Sequence, residues 1–216
     1  QKGFAPLLPG FKQAKFNDLS TVEKVAGSDT CAIMVEPIQG EGGVRVATVD
    51  FLRGLRKLCS KFRMVLIFDE IQSGMGRTGK MFAYQHYRVT PDILTMAKGV
   101  GGGLPLGVTI AKNGMDRLFN YGSHGSTFGG NPVSVAAGLA AVKLVNNKLL
   151  DNVKLTGKYF LRRLKELKSK YPKRIKEVRG LGLMLGMEVR GEGEEVVKKC
   201  FQEGVLINCT QERVLR

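Results

Sequence analysis

Apolar positions along the chain fall into two patterns, and each predicts its own kind of element. Short runs rich in β-branched and bulky apolar residues occur at 31–35, 64–68, 93–97 and 107–111. Each has the length and composition of a buried strand. A helical period appears after Thr48, where Phe51, Leu52, Leu55, Leu58, Cys59 and Phe62 share a face and Arg53, Arg56 and Lys57 lie opposite. Asn131-Pro132 reads as the N-cap and first position of a long helix whose opening turns are small and apolar. Beyond Asn146 the helix becomes Lys-rich and amphipathic, with Leu155, Phe160, Leu161, Leu164 and Leu167 as its apolar side. A short helix is expected over 17–24 and a single helical turn over 81–87. Residues 1–20 otherwise read as loop, broken by Pro6, Pro9 and Gly10.

The order of these elements predicts topology. Strand, helix, strand over 31–69 requires a parallel, right-handed crossover. The connection after Lys98, GVGGGLPL over 99–106, is too short for a crossover helix, so the strand at 107–111 must run antiparallel to its predecessor. The expected fold class is α/β, a mostly parallel sheet with one antiparallel strand. From 146 onward the pattern becomes a Lys-rich helix, a glycine-studded strand over 178–189, a helix over 194–202, and strands at 205–208 and 213–215. That block reads as a small α+β C-terminal domain, dividing the chain into residues 1–145 and 146–216. The methionines at 34, 64, 96, 184 and 187 read as core filler.

Composition narrows the function classes. With 216 residues and 43% hydrophobic content, the chain can bury one sizeable core and a smaller lobe. No apolar run approaches the length a membrane helix needs, so no membrane partner is expected. The beginning, QKGFAPLLPG, lacks an initiator Met and a signal pattern, and the end stops on a strand-like run. The chain is therefore expected to be a fragment. Four cysteines at 31, 59, 200 and 209 fit neither a disulfide framework nor a zinc spacing, which suits a cytoplasmic protein without a metal site. The net charge of +15 raises a nucleic-acid reading, and residues 143–179 alone hold 13 Lys/Arg against 3 Asp/Glu. Aromatics are not interleaved there as stacking platforms, so no nucleic-acid partner is expected.

Candidate chemistry gathers where strands end in charge. The strand at 64–68 ends in Asp69-Glu70, and the strand at 93–97 ends in Lys98 before four glycines. Ligands of open α/β sheets bind at such carboxyl ends. A Walker phosphate loop is excluded because Lys98 precedes the glycines. Lys98 reads either as a lysine snorkelling from a strand end or as a Schiff-base nucleophile. Asp69 reads as a buried ion-pair member or as the anion a pyridoxal ring nitrogen needs. Glu36, Glu41 and Asp69 also offer a paired-carboxylate acid–base reading, which leaves Lys98 without a role. Gln72 lies one turn past Asp69, Ser126-Thr127 sits in a glycine-rich loop suited to phosphate, and Arg216 closes an apolar run as a carboxylate clamp. His86 and His124 read as ordinary loop histidines.

Four ordered motifs run through the chain: EPIQGEGG at 36–43, FDEIQSGMGRTG at 68–79, Lys98 before its glycines, and HGSTFGGNP at 124–132. Together they resemble the class III (ornithine-type) pyridoxal-phosphate aminotransferases. The resemblance implies the fold-type-I architecture of PLP-dependent transferases and pyridoxal 5'-phosphate as cofactor. It implies that Lys98 bonds the cofactor and shuttles the substrate proton, that Asp69 pairs with the pyridinium, and that Gln72 contacts the ring hydroxyl. Ser126 and Thr127 would bind phosphate, with Thr127 acting on the neighbouring subunit's cofactor in a homodimer whose active site lies at the subunit interface. Arg216 would bind the substrate α-carboxylate, Glu41 would pair with that arginine, and Glu36 would support the site. The loop versions GMGRTG and GGGLPLG are most similar to members that move the terminal amino group of N-acetylornithine to 2-oxoglutarate, a step of arginine biosynthesis. Members acting on ornithine, succinyl-diaminopimelate or 4-aminobutyrate, and the aminomutases, are near neighbours. The family's upstream phosphate loop and ring-stacking aromatic precede the point matching Gln1.

Overall fold

The computed structural model describes residue 3, residues 5–115, residue 117 and residues 119–216. Helix α1 (Leu19–Val25) is capped by Asp18, whose carboxylate accepts the Thr21 N–H. Strands β1 (Ala32–Val35), β2 (Ile38–Gln39) and β3 (Arg45–Val46) lead to α2 (Val49–Phe62) and then β4 (Val65–Asp69). A 3₁₀ turn at Ala83–His86 precedes β5 (Ile93–Met96), and a second at Lys98–Gly101 leads to β6 (Val108–Ala111). Helices α3 (Pro132–Leu144) and α4 (Leu150–Lys170) follow, then β7 (Ile175–Leu181), β8 (Met184–Val189), α5 (Gly193–Gln202), β9 (Cys209–Thr210) and β10 (Val214–Leu215).

The first sheet has the order β1-β4-β5-β6. The β1–β4 and β4–β5 pairs are parallel, and β5–β6 is antiparallel as the short glycine connection requires. Helix α2 covers this sheet because Thr48 caps it, accepting the Phe51 N–H at 3.2 Å, and because its apolar stripe is continuous. Leu52 and Leu55 meet Leu66 and Phe68, and all four are fully buried. Asp92 pins the start of β5 to β4: its Oδ2 accepts the Leu66 N–H at 2.8 Å and Arg56 Nη1 at 2.7 Å. Burial alone would raise the Asp92 pKa, but these two donors outweigh it and hold the carboxyl below its usual range.

The second sheet is antiparallel, with the order β7-β8-β10-β9. Here the structure departs from expectation. The glycine-studded run at 178–189 is not one strand but lies within a β7–β8 hairpin, turned at Gly182 with φ +58°. A Cβ on Gly182 would meet the Thr78 backbone at 2.5 Å, so the turn packs directly on the 76–79 loop. The strand expected at 205–208 is absent, and β9 begins only at Cys209.

Other corrections follow from position. Strand β1 lies at the sheet edge, so it is half-buried, and Met34 is 59% exposed rather than core. Phe62 is 58% exposed because it occupies the last helical position of α2, beyond the covered face. Asn131 does cap α3, accepting the Ser134 N–H at 2.9 Å. The chain does not break at Asn146, however. A π-helical turn at Val145–Leu149 joins α3 to α4 in one helix over Pro132–Lys170. By length and composition alone that helix is long and apolar enough to cross a membrane, unlike the separate runs read from the sequence. Its apolar residues Val133, Leu139 and Leu144 are exposed.

Candidate active site

Strands β4 and β5 are parallel neighbours, with Asp69 in register with Thr95. Residues in register on adjacent strands present side chains to the same face, and Lys98 follows three positions later. Asp69 Oδ1 accepts the Ile71 N–H at 2.9 Å, turning the chain out of the strand. Its other oxygen makes no hydrogen bond among the described residues. Lys98 is exposed and holds φ +50°, a left-handed backbone that a non-glycine residue rarely adopts. Such conformations cluster at functional sites.

Three acidic or polar groups converge on this pair. Glu36, at the end of β1, accepts the Gly40 N–H at 3.0 Å. Its pKa is raised, first by burial and then by the charges of Asp69 and Glu41, while the Gly40 N–H and Lys98 oppose the rise. The charges of Asp69, Glu41 and Lys98 thus all bear on Glu36. Glu41 forms an ion pair with Arg216 Nη2 at 2.8 Å. Desolvation pushes the Glu41 pKa upward, but Arg216, Gln72 and Lys98 together bring it below the usual carboxylate range.

Arg216 has a partner at each guanidinium nitrogen. Nη2 meets Glu41, Nη1 donates to Gln72 Oε1 at 2.8 Å, and Nε donates to Asn208 Oδ1 at 3.2 Å. Three of its five N–H donors are thereby engaged within the chain. Gln72 completes the triangle by donating to Glu41 at 3.4 Å. So Gln72 contacts the arginine clamp as well as lying one turn from Asp69. Its amide lies against Gly40, where a Cβ would come within 2.3 Å of Oε1.

The sequence reading missed the residues that hold this cluster. Asn208 and Arg216 exchange backbone hydrogen bonds of 2.9 and 3.1 Å. That pairing was legible in principle: a hairpin turning at Gln211-Glu212 sets 210 against 214, 209 against 215 and 208 against 216. The Glu41 carbonyl accepts from Thr210 Oγ1 and from Gln211 Nε2, so the second sheet grips the turn that carries Glu41. Arg179 adds a strut through its Nε bond to the Gly43 carbonyl at 2.9 Å.

Ser126 and Thr127 are not brought to this cluster. Both are exposed, and Ser126 Oγ accepts the Gly129 N–H at 3.0 Å within its own loop. His86 packs on Thr78, with Nε2 and Oγ1 3.0 Å apart, away from the cluster. Burial and nearby Lys80 lower its pKa. Among the described residues no group of three or more His, Cys, Asp or Glu could hold a metal ion.

The family model for aminotransferase class-III matches residues 1–216. The chain belongs to the class-III aminotransferases. It is 51% identical over 217 residues to the acetylornithine aminotransferase of Methanocaldococcus jannaschii, covering 100% of this chain and 54% of that protein. It is 48% identical to the acetylornithine aminotransferase of Aquifex aeolicus, again over 100% of the chain and 55% of the relative. Among solved structures, the ornithine aminotransferase of Toxoplasma gondii superposes with a TM-score of 0.93 at 37% identity, covering 100% of this chain and 52% of that one. The N-acetylornithine aminotransferase of Stenotrophomonas maltophilia gives a TM-score of 0.84 at 36% identity, over 96% and 56%. The chain thus spans about half the length of the curated relatives it matches.

Class-III aminotransferases are pyridoxal-phosphate enzymes with the fold-type-I sheet found here. The residues present fit that cofactor at two of its ends. Asp69 offers a carboxylate oxygen with no protein partner, and the buried Thr95 hydroxyl beside it is also unpartnered. Lys98 offers a primary amine at the end of the adjacent strand.

Proposed function

We propose that the protein containing this chain transfers the terminal amino group of N-acetylornithine to 2-oxoglutarate. The products are N-acetylglutamate 5-semialdehyde and glutamate. What supports this reading is that Asp69 and Lys98 follow the paired strands β4 and β5, while Gln72, just past Asp69, joins Arg216 and Glu41 in one triangle. A bound pyridoxal phosphate supplies an electron sink for the pair released when a proton leaves the amine-bearing carbon.

The chain's own residues do the rest. Asp69 Oδ2 holds the proton on the ring nitrogen, which keeps the sink effective. Lys98 Nζ would hold the cofactor at its aldehyde carbon and, as a free amine, would carry the substrate proton. Gln72 contacts the ring hydroxyl, and Ser126 and Thr127 bind phosphate, Thr127 that of the neighbouring subunit. Arg216 grips the α-carboxylate of either substrate. Glu41 pairs with Arg216 until a substrate carboxylate takes its place, and Glu36 supports the site.

This reading makes the enzyme a cytoplasmic homodimer with two domains, 1–145 and 146–216, joined by the continuous helix. The exposed apolar residues of α3 support a partner subunit there. The four free cysteines suit a reducing compartment. A panel of amines with 2-oxoglutarate, assayed on the full-length enzyme, tests the substrate. N-acetylornithine should give the highest kcat/KM, ahead of ornithine, succinyl-diaminopimelate and 4-aminobutyrate. A better ornithine rate would transfer the assignment to the reading favoured by the Toxoplasma gondii match.

A further inference from the structure

Glu70 is the only Asp, Glu, Lys or Arg buried among the described residues, at 1% exposure. It has no cationic partner there. Instead its carboxylate accepts two backbone amides at the start of the Ala83–His86 turn, Ala83 N–H at 2.6 Å and Tyr84 N–H at 2.8 Å. Its own backbone is committed as well. The Glu70 N–H donates to the Thr95 carbonyl at 2.9 Å, and its carbonyl accepts the Gly74 N–H at 2.9 Å.

Burying an unpaired carboxylate is costly, and an apolar residue would fill this space at lower cost. What the carboxylate does, and an apolar residue does not, is close the loop over 70–84 at both ends. Two site residues depend on that loop. The Ile71 N–H fixes the Asp69 side chain, and Gln72 Oε1 holds Arg216 Nη1. We propose that Glu70 is a positioning residue, a buried clasp that sets Asp69 toward the cofactor and Gln72 toward the substrate clamp at once. This inference rests on the function proposed above.

The groups facing Glu70 make the clasp sensitive to pH. Burial pushes its pKa up to about 7, the two amides pull it down, and the Asp69 charge adds to the rise. The buried Tyr87 phenol, itself pushed up to about 12 by burial and by Glu70, offers no positive charge. Burial outweighs the two amides, so the ionised carboxylate is the costly form of the closed clasp, and the clasp loosens as pH rises through about 7.

The test uses the full-length enzyme and three readouts. They are amide exchange at residues 83 and 84, cofactor Kd by fluorescence titration of the stripped enzyme, and KM for 2-oxoglutarate separated from kcat. Wild type should lose exchange protection at 83 and 84, after correction for intrinsic rates, as pH rises through about 7. Its cofactor Kd should rise over the same interval. Glu70→Gln, which keeps one acceptor, should raise the cofactor Kd about tenfold, raise the KM several-fold, and abolish both pH steps. Glu70→Ala should do more. Leu55→Ala, a core change remote from the loop, should lower the melting temperature without moving either pH step.

Unchanged protection at 83 and 84 in Glu70→Gln, or equal effects from Leu55→Ala, would overturn the inference. The exchange readout on wild type needs neither a variant nor a cofactor. A clasp intact by exchange in an enzyme that binds no pyridoxal phosphate would therefore sink the functional reading, and only through it the positioning role.

Discussion

Two carboxylates, one on a strand of the second sheet and one just past a strand of the first, behave oppositely. Glu188 on β8 is held by Lys176 and by Arg179 Nη1 at 2.8 Å. The Lys176 and Arg179 hydrogen bonds outweigh desolvation and keep its pKa below the usual range. Glu70, just beyond β4, has only neutral amides, and its pKa rises to about 7. Electrostatics is therefore settled locally in the second sheet and left unsettled at the mouth of the first. A paired charge stiffens a scaffold, whereas an unpaired one responds to what binds beside it. The second sheet, braced this way, grips the turn that carries Glu41 and bears the strand that ends at Arg216.

The largest expected effect separates chemistry from scaffold. Lys98→Ala in the full-length enzyme should lower kcat at least about a thousandfold while leaving the melting temperature nearly unchanged, because Lys98 is exposed. Arg179→Ala should do the reverse. It removes the bonds to Glu188 and to the Gly43 carbonyl, so a loss of about 2–4 kcal/mol is expected in denaturant unfolding. Activity should then fall mainly through KM, as the Glu41 turn loses its strut.

The pH dependence of stability sharpens the contrast further. Glu70 has a raised pKa, so its contribution is present below the ordinary 4.5 and is lost as pH rises through about 7. Glu188 has a lowered pKa, so its contribution is present above 4.5 and is lost as pH falls below that value. Melting curves across pH should show Glu70→Gln flattening the near-neutral limb and Glu188→Gln flattening the acid limb. The smallest effect is expected from Asn208→Leu. It frees one of the three Arg216 partners and should raise KM for both carboxylate substrates about threefold, with kcat unchanged.

Much of the first sheet was legible because its signals are local. The crossover over 31–69 and the short 99–106 connection dictate parallel and antiparallel pairing, and Thr48 and Asn131 cap the helices they were expected to cap. The second sheet was misread where glycine carries two meanings. Gly182 ends a strand because a turn packs on Thr78, a long-range contact that composition does not record. Met34 and Phe62 are apolar but stand at an edge and at a helix end, so period alone misplaces them.

In the candidate site, the charged residues were legible because they stand at the carboxyl ends of apolar runs. Their positioners were not. Asn208 and Gln211 acquire their roles only when the β9–β10 hairpin brings them to Arg216 and Glu41, and Glu70 only when the loop over 70–84 closes. Ser126 and Thr127 stay apart from the cluster, exposed in a loop of their own.

The account's central claim is that the ends of β4 and β5 grip one cofactor between an acid and an amine. Borohydride reduction of the full-length enzyme with pyridoxal phosphate, followed by peptide mass mapping, tests it most directly. The account predicts one modified peptide, with the added mass on Lys98 and lost in Lys98→Ala. Modification spread over other lysines, or none at all, would contradict it.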